Sequence, residues 1–136
     1  MKLKKLIINT SSQKYPIFIG SNLFSKTRYI LNKNLIKFEK CLLVVDKNVP
    51  KKFILSIKNA FKDKSIFLHF IKAEEKNKNQ KSVNKILQIL LSKNFSRQDC
   101  LISIGGGITG DVAGFASSLF KRGLQFINIP TTLLSQ

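Results

Sequence analysis

Apolar and polar positions along the chain form two alternating patterns, one typical of strands and one typical of helices. Continuous apolar runs, of which Cys41–Val45 is the clearest, predict strands buried on both faces. Apolar positions at helical spacing within residues 81–94 predict a helix. The predicted strands are Leu3–Asn9, Tyr15–Ile19, Cys41–Val45, Ser65–Ile71, Leu101–Ile104 and Leu124–Ile129. The predicted helices are Ser21–Leu31, a segment from Pro50 to Phe61, residues 81–94 and Asp111–Lys121.

The order of these segments predicts the fold class. Strands that alternate with helices indicate parallel βαβ units, and therefore an α/β fold with an open sheet. The polar segment Thr10–Lys14 lies between the first two strands and predicts an N-terminal β-hairpin. Ala73–Gln80 is expected to be a loop, Gly105–Gly107 a tight turn, and Gly123 the end of the last helix. A length of 136 residues allows one domain, which we place at 1–136.

The net charge of +17 suggests a nucleic-acid partner, but its distribution argues against one. Of the 24 basic residues, only Arg97, Lys121 and Arg122 follow position 95, where the most patterned sequence lies. Apart from those two arginines, Arg28 is the only other arginine in the chain. Surfaces that read bases or hold phosphates favour arginine, whereas scattered lysines are typical of a solvated face. We therefore expect no nucleic-acid partner.

The two cysteines and the apolar segments bear on the compartment. Cys41 and Cys100 each begin an apolar run and have no CxxC partner, which favours buried, reduced thiols in a cytoplasmic protein. The basic N-terminus is followed by too short an apolar run for a signal peptide. Leu101–Phe120 is long enough to suggest a membrane span, but Asp111 and several glycines interrupt it. We therefore expect no membrane partner. No cluster of residues at metal-ligand spacing is present in the chain.

The segment Gly105–Gly110 carries the clearest chemical signal in the chain. Its sequence, GGGITG, satisfies G-x-G-x-x-G and lies between a predicted strand and a predicted helix. Glycines allow the backbone to approach a pyrophosphate closely, and a helix N-terminus offers free N–H groups and a positive dipole end. The same pattern is also compatible with a glycine-rich turn that binds nothing, and the residues alone leave both interpretations open.

Two aspartates are candidates for roles beside this motif. A dinucleotide site usually has an acidic residue about 20 residues downstream for the ribose, and none follows Asp111. Asp46 ends a different strand and is the candidate for that ribose contact. Asp111 is expected in the first turn of the last helix, where it has either a binding role or only a favourable interaction with the helix dipole.

Three segments resemble the 3-dehydroquinate synthase family. Residues 105–116 read GGGITGDVAGFA, residues 121–123 read KRG, and residues 129–136 read IPTTLLSQ. These match the family pattern GGG-x-x-GD-x-AGF-A, an RG pair and a PTTLL-A/S-Q segment. Three further segments are also similar to the family: residues 15–20 to its first strand, residues 45–49 to its D-x-N-V loop, and residues 95–97 to the segment before the glycines. The resemblance implies a Rossmann-like NAD-binding domain.

The resemblance also implies a reaction. The family converts 3-deoxy-arabino-heptulosonate 7-phosphate to 3-dehydroquinate and phosphate in the shikimate pathway, which leads to aromatic amino acids. NAD oxidises one carbinol and the NADH formed reduces the ketone again, so that no net redox change occurs. A divalent metal, zinc or cobalt, polarises the substrate in the full-length enzyme. The expected partners are a sugar-phosphate substrate and, for the full-length protein, a second copy in a homodimer.

The resemblance carries binding roles to particular positions. Asp46 and Asn48 are expected to hold the adenosine end of NAD, and Arg122 to reach the substrate phosphate of a neighbouring subunit. The family's G-E-x-x-K loop matches at Glu75 and Lys78, although Glu74 replaces its glycine and leaves the conformation of the loop open. The positions expected around the phosphates, the nicotinamide and the cofactor cleft are Gly106, Gly107, Ile108, Thr109, Gly110, Asp111, Thr131 and Thr132.

The family pattern continues beyond the residues present here. A V-D-S-S-V-G-G-K segment follows PTTLLSQ in the family, and the glutamate and histidines that bind the metal lie further on, in an α-helical domain. We therefore expect a chain cut short, which lacks that domain and a complete catalytic set. By itself it is expected to be inactive and to bind NAD at most weakly. Two alternatives remain: a related NAD-dependent sugar-phosphate cyclase or polyol dehydrogenase, and a basic nucleic-acid-binding module.

Overall fold

The computed structural model describes residues 2–132 and residue 134, and it has the predicted alternation of strands and helices. The strands are β1 (Lys4–Asn9), β2 (Lys14–Ile19), β3 (Lys40–Asp46), β4 (Ser65–Ile71), β5 (Cys100–Gly105) and β6 (Gln125–Pro130). The α-helices are α1 (Leu23–Lys33), α2 (Lys51–Ala60), α3 (Gln80–Ser92) and α4 (Gly107–Leu119). Short 3-10 helices at Glu75–Asn77 and Phe120–Arg122 precede α3 and follow α4.

The predicted N-terminal hairpin is confirmed. Strands β1 and β2 pair antiparallel from Lys4 opposite Ile19 to Asn9 opposite Lys14. The connecting turn is closed by Thr10, whose N–H donates to the carbonyl of Gln13 at 2.8 Å. The Thr10 hydroxyl also accepts from the Gln13 N–H at 3.0 Å. A threonine side chain that bonds the backbone in this way stabilises a turn, so the polar segment between the strands closes the hairpin.

The other four strands form a parallel sheet in the order β4-β3-β5-β6. The chain starts in the interior at β3, moves outward to β4, and then crosses over to β5 on the opposite side of β3. After β3 the chain continues to β4 on one side, and after β5 it continues to β6 on the other side. The strand order therefore reverses between β3 and β5. Such a switch point, at the carboxyl ends of the strands, is where open α/β sheets bind their ligands.

Helices cover both faces of this sheet, as the continuous apolar runs predicted. On β3, Leu43 and Val45 pack with residues of α1 and α2. Leu42 and Val44 on the same strand pack with residues of α3 and α4 on the other face. All four side chains are completely buried. Each contributes about 1.5–3 kcal/mol of hydrophobic stabilisation, which makes β3 the centre of the core.

The start of α4 differs from the prediction. We expected a tight turn at Gly105–Gly107 and a helix from Asp111, but α4 already begins at Gly107. Gly106 is extended, and its carbonyl accepts the first helical hydrogen bond, from the Gly110 N–H at 3.1 Å. None of the three glycines has a positive φ, so the chain passes from strand to helix without a left-handed turn.

The end of α4 also comes earlier than predicted, at Leu119 rather than at Lys121. The buried side chain of Phe120 packs into the core beside α3, and its backbone leaves the helical conformation. Lys121 and Arg122 then take left-handed conformations, and the Lys121 ammonium donates to the carbonyl of Phe95 at 3.0 Å. Tertiary packing therefore ends the helix, and Gly123, with a φ of 115°, completes the turn into β6.

Candidate functional site

Most of the predicted site residues meet at the carboxyl ends of β3 and β5. Residue Asp46 ends β3 and Gly105 ends β5, and an added Cβ at Gly105 would lie 3.0 Å from the Cβ of Asp46. Helix α2 leaves β3 toward one face of the sheet, and α4 leaves β5 toward the other. Because the two connections separate, a crevice opens between the strand ends. The topology thus brings the two candidate segments, far apart in sequence, to one place.

Asp46 shapes the loop that follows β3. One of its carboxylate oxygens accepts a hydrogen bond from the N–H of Asn48 at 3.0 Å, and its carbonyl accepts from Val49 at 3.0 Å. These bonds form an Asx-type turn, in which the side chain of Asn48 is exposed. The side chain of Asp46 is half-buried at the crevice and retains capacity to accept further hydrogen bonds.

The glycines at the start of α4 are required for space rather than for an unusual backbone conformation. A Cβ at Gly105 would lie 2.7 Å from the Thr109 hydroxyl oxygen, and one at Gly106 would lie 3.0 Å from the Cγ2 of Thr132. A Cβ at Gly107 would meet nothing within 4 Å. The first two glycines allow close packing of the neighbouring segments, and Gly107 leaves the entrance to the helix open. The expectation of a tight turn is therefore wrong, but the close backbone approach that the motif suggests is present.

The N-terminus of α4 faces this open space. The N–H groups in the first turn of a helix have no partner within the helix, and the helix dipole places partial positive charge there. Gly106, at the N-cap position, has no side chain to accept from them. Gly107, Ile108 and Thr109 make up the first turn, which therefore provides donors suited to an anion such as a phosphate.

The hydroxyl of Thr109 is an unusual feature of this turn. The side chain is completely buried, and its oxygen has no hydrogen-bond partner among the residues that the structure describes. A buried hydroxyl without a partner costs about 1–3 kcal/mol, so most proteins avoid one. The group lies against Gly105, at the junction of β5 and α4.

Asp111 does not have the place that was predicted for it. It was expected in the first turn of the helix, but the first turn of α4 contains no acidic residue, and Asp111 is the fifth residue of the helix. Its carboxylate forms an ion pair with the ammonium of Lys78 at 2.8 Å. The hydrogen bond to Asp111, followed by the negative charge of that carboxylate, raises the pKa of Lys78. A simple role at the helix dipole is therefore wrong, and the pair instead fastens the loop before α3 to α4.

The loop that contains Glu75 and Lys78 forms without backbone strain, although Glu74 stands where the family has a glycine. Glu74 has an extended backbone with a φ of −113°, which any residue adopts without strain. The Glu74 carboxylate pairs with Lys72 at 3.0 Å and with Lys76 at 3.1 Å. These contacts lower the pKa of Glu74, chiefly through the hydrogen bond to Lys72. A glycine is thus unnecessary at this position, and the loop, which contains the 3-10 helix Glu75–Asn77, carries Lys78 to Asp111.

Two predicted residues, Thr131 and Thr132, follow β6 and lie beside the glycines. The Thr131 N–H donates to the carbonyl of Gly105 at 2.8 Å, and the side chain of Thr132 approaches Gly106. Both threonines are exposed. Leu133, Ser135 and Gln136 complete the predicted PTTLLSQ segment and lie outside the described residues.

The last predicted site residue, Arg122, lies elsewhere. It follows the C-terminal end of α4, and the 13 residues of that helix separate it from the glycines by about 20 Å. Its side chain is exposed. The structure therefore does not bring Arg122 to the crevice of its own chain.

Gly105 belongs to the site although it is not among the predicted site residues. It sets the distance between Asp46 and the start of α4, and its signal was available as the first glycine of the motif. No group of three or more His, Cys, Asp or Glu suited to a metal ion occurs within residues 2–132 and 134. None of the helices in this described part is long and apolar enough to cross a membrane.

Residues 68–136 match the model of the 3-dehydroquinate synthase N-terminal family. Among curated proteins, a 3-dehydroquinate synthase of Pelagibacter ubique (strain HTCC1062) is 58% identical over all 136 residues of the chain. One from Alkaliphilus metalliredigens (strain QYMF) is 36% identical over 134 residues, or 98% of the chain. The chain spans 37% and 36% of the lengths of these two relatives.

Solved structures show the same fold. The crystal structure of a 2-deoxy-scyllo-inosose synthase, complexed with carbaglucose-6-phosphate, NAD+ and Co2+, matches with a TM-score of 0.86. The match covers 97% of this chain and 36% of the other, at 21% sequence identity. The predicted α/β architecture, with its parallel sheet and hairpin, is therefore one that an experimental structure also contains.

Proposed function

The chain belongs to the 3-dehydroquinate synthase family, and from that membership we propose that it binds NAD at the carboxyl ends of β3 and β5, as part of a 3-dehydroquinate synthase. The observation that carries the proposal is the open N-terminus of α4 beside Asp46, at the switch point of the sheet. A dinucleotide needs an anion site next to an acceptor for ribose hydroxyls, and these two features lie side by side.

The residues of the crevice fit such a cofactor. The first turn of α4 offers N–H donors to the phosphates, and the space over Gly107 admits them. The Thr109 hydroxyl, which has no partner in the part of the chain that the structure describes, lies against Gly105 at the end of β5. We assign Asp46 and Asn48 to the adenosine end. We assign a larger set to the phosphates, the nicotinamide side and the walls of the cleft: Gly106, Ile108, Gly110, Asp111, Glu75, Lys78, Thr131 and Thr132.

We propose that the whole protein converts 3-deoxy-arabino-heptulosonate 7-phosphate to 3-dehydroquinate and phosphate. Bound NAD would supply reversible hydride transfer. The residues of this chain would bind and orient the cofactor, and the Lys78–Asp111 pair would hold one wall of the cleft in place. We further propose that the protein acts in the cytoplasm as a homodimer. In that homodimer Arg122, remote from its own crevice, serves the phosphate site of the second copy. A divalent metal would be held by residues outside the described part of the chain.

Binding of NAD by the 136-residue chain tests the cofactor site, and calorimetric titration measures it. We expect Gly107→Val to lower the affinity for NAD at least about tenfold, because the new side chain fills the space over the helix N-terminus. Ser118→Ala is the matched control, since Ser118 is exposed near the far end of the same helix. Equal affinity of Gly107→Val and Ser118→Ala for NAD would contradict the proposed site.

A chimera tests the reaction. This chain would replace the matching segment of the Pelagibacter ubique relative, to which it is 58% identical, and formation of 3-dehydroquinate would be measured. We expect turnover by the chimera and none by the 136-residue chain alone. A related NAD-dependent cyclase is the second candidate, because the 2-deoxy-scyllo-inosose synthase has the same fold. Turnover of other sugar phosphates, but not of the heptulosonate, would favour that candidate.

We also propose that the chain has no nucleic-acid partner, since its basic residues are mostly scattered lysines. A nucleic-acid-binding module would lose affinity for DNA steeply as salt increases, with a logarithmic slope of about −0.9 for each phosphate neutralised. A steep decrease in DNA affinity with rising salt, measured across the physiological range, would overturn this part of the proposal.

A further inference from the structure

The only two cysteines of the chain lie next to each other in the core. Cys41 on β3 and Cys100 on β5 are register partners in the parallel sheet. Both belong to the apolar cluster beneath α1 and α2, so their side chains share one face of the sheet. Neither is exposed to solvent, and neither thiol has a part in the proposed NAD site.

We propose that Cys41 and Cys100 form a two-sulfur site for a soft divalent cation of the Hg(II) class, bound in line between the two thiolates. Thiolates are the ligands that soft cations prefer. The ion would link β3 to β5 at their amino ends, opposite to the end that holds Asp46 and Gly105. The site does not depend on the function proposed above.

The spacing of the sheet suits a bridging ion better than a disulfide. Neighbouring strands lie about 4.7–4.9 Å apart, and register partners on one face keep that lateral separation. Metal–sulfur bonds of about 2.3 Å, the value for zinc, would span about 4.6 Å when two of them are in line. A disulfide instead requires Cβ atoms about 3.8 Å apart, so it would draw together two strands whose ladder continues beyond the cysteines.

The electrostatics of the site favour a divalent ion. Hydrogen bonding with Cys41 and burial raise the pKa of the Cys100 thiol, so a bare thiolate is disfavoured at that position of the apolar cluster. One Hg2+ would replace the two thiol protons, which pass to solvent, and the resulting S–Hg–S unit is neutral. No electron is transferred, and no net charge is left in the apolar cluster. The negative charge of Asp99 lies close enough to act on Cys100 and favours the approach of a cation.

An ion has to enter from the surface, because both thiols are completely buried. A surface cavity of about 210 Å³ is lined by residues that include Phe38 and Phe61. These two rings stack edge to face, with centroids 5.1 Å apart, and belong to the same cluster as the cysteines. Rotation of the rings would open the cluster to an ion in the cavity.

Mercuric chloride added to the reduced 136-residue chain, in buffer without thiols, tests the proposal. We expect native mass spectrometry to show one Hg2+ per chain in place of two protons, and X-ray absorption to show two sulfur ligands. The melting temperature should rise, because the folded chain holds the two sulfurs in position. Two ions per chain, one sulfur per ion, or a lower melting temperature would each overturn the proposal.

Variants separate the pair from the individual thiols. Cys41→Ala and Cys100→Ala should each lower the affinity for Hg2+ by more than about 100-fold. Replacing a residue that only supports a metal ligand typically costs about 10- to 100-fold, so a larger loss identifies a ligand. Ile104→Val is the matched control, because it loosens the same cluster on β5 and retains both thiols. Unchanged affinity in either alanine variant would contradict a shared site. X-ray absorption of the unaltered chain decides the question if the variants fold poorly.

Discussion

The two ends of the β3–β5 pair differ in how their polar groups are satisfied. At the amino ends, Cys41 and Cys100 are completely buried, and the carboxylate of Asp99 accepts from two backbone N–H groups. At the carboxyl ends, Asp46 lies half-buried beside an open helix N-terminus. One pair of strands therefore has a closed structural end and an open end with donors and acceptors available to a ligand.

The connections between the elements explain this difference. At the carboxyl ends, α2 and α4 leave toward opposite faces of the sheet and separate. At the amino ends, Asp99 joins the segments that enter the two strands, since it bonds the Lys40 N–H at 3.1 Å and the Ser96 N–H at 2.8 Å. The path of the chain, more than the composition of the strands, therefore decides which end presents its polar groups at the surface.

The largest expected effect is at the open end, where Gly105→Val should destabilise the chain by about 2–3 kcal/mol. The added side chain would overlap the Thr109 hydroxyl and press against Asp46. Unfolding in urea measures the change. Gly107→Val is the matched control, because a side chain there meets no atom within 4 Å, and its stability should stay within about 0.5 kcal/mol of the original. Equal loss in both variants would show that Gly105 is not specially constrained.

A smaller loss is expected at the closed end, where Asp99→Asn should cost about 2 kcal/mol. The amide keeps the shape of the side chain but turns one acceptor of a backbone N–H into a donor. Asp63→Asn provides the comparison, since that carboxylate is exposed in an ion pair with Arg28 and water replaces the lost contact. Urea unfolding should therefore give a clearly lower free energy of unfolding for Asp99→Asn than for Asp63→Asn. The reverse order would contradict a closed amino end.

The smallest effect concerns the exposed Lys78–Asp111 pair, and it appears as a change in pKa. Asp111→Asn should bring the pKa of Lys78 down toward its ordinary value, because the hydrogen bond and the charge that raise it are lost. A raised pKa in the folded state stabilises the protein at neutral pH, and this contribution disappears as the pH rises through that pKa. NMR titration of Lys78 at alkaline pH measures the change. Asp46→Asn is the control and should leave the pKa of Lys78 unchanged.

Much of the fold was predictable, but several boundaries were not. The strands were recognised because buried parallel strands are continuously apolar, as in Cys41–Val45. The start of α4 was misplaced because glycines suggest a turn, whereas here they lie where two segments pack closely. The end of α4 was misplaced because the burial of Phe120 against the core overrides the local signal of Gly123. Both errors occur where tertiary contacts outweigh local preference.

The sequence by itself determined the alternation of strands and helices, the glycine motif and the family, since each depends on residue types at short spacing. Only the tertiary structure decided which of these residues meet. The crossover from β4 to β5 makes β5 a neighbour of β3, and the register of that pair places Cys41 against Cys100 and Asp46 beside Gly105. Strand order depends on helices packing across both faces of the sheet, which is a property of the whole chain rather than of any segment.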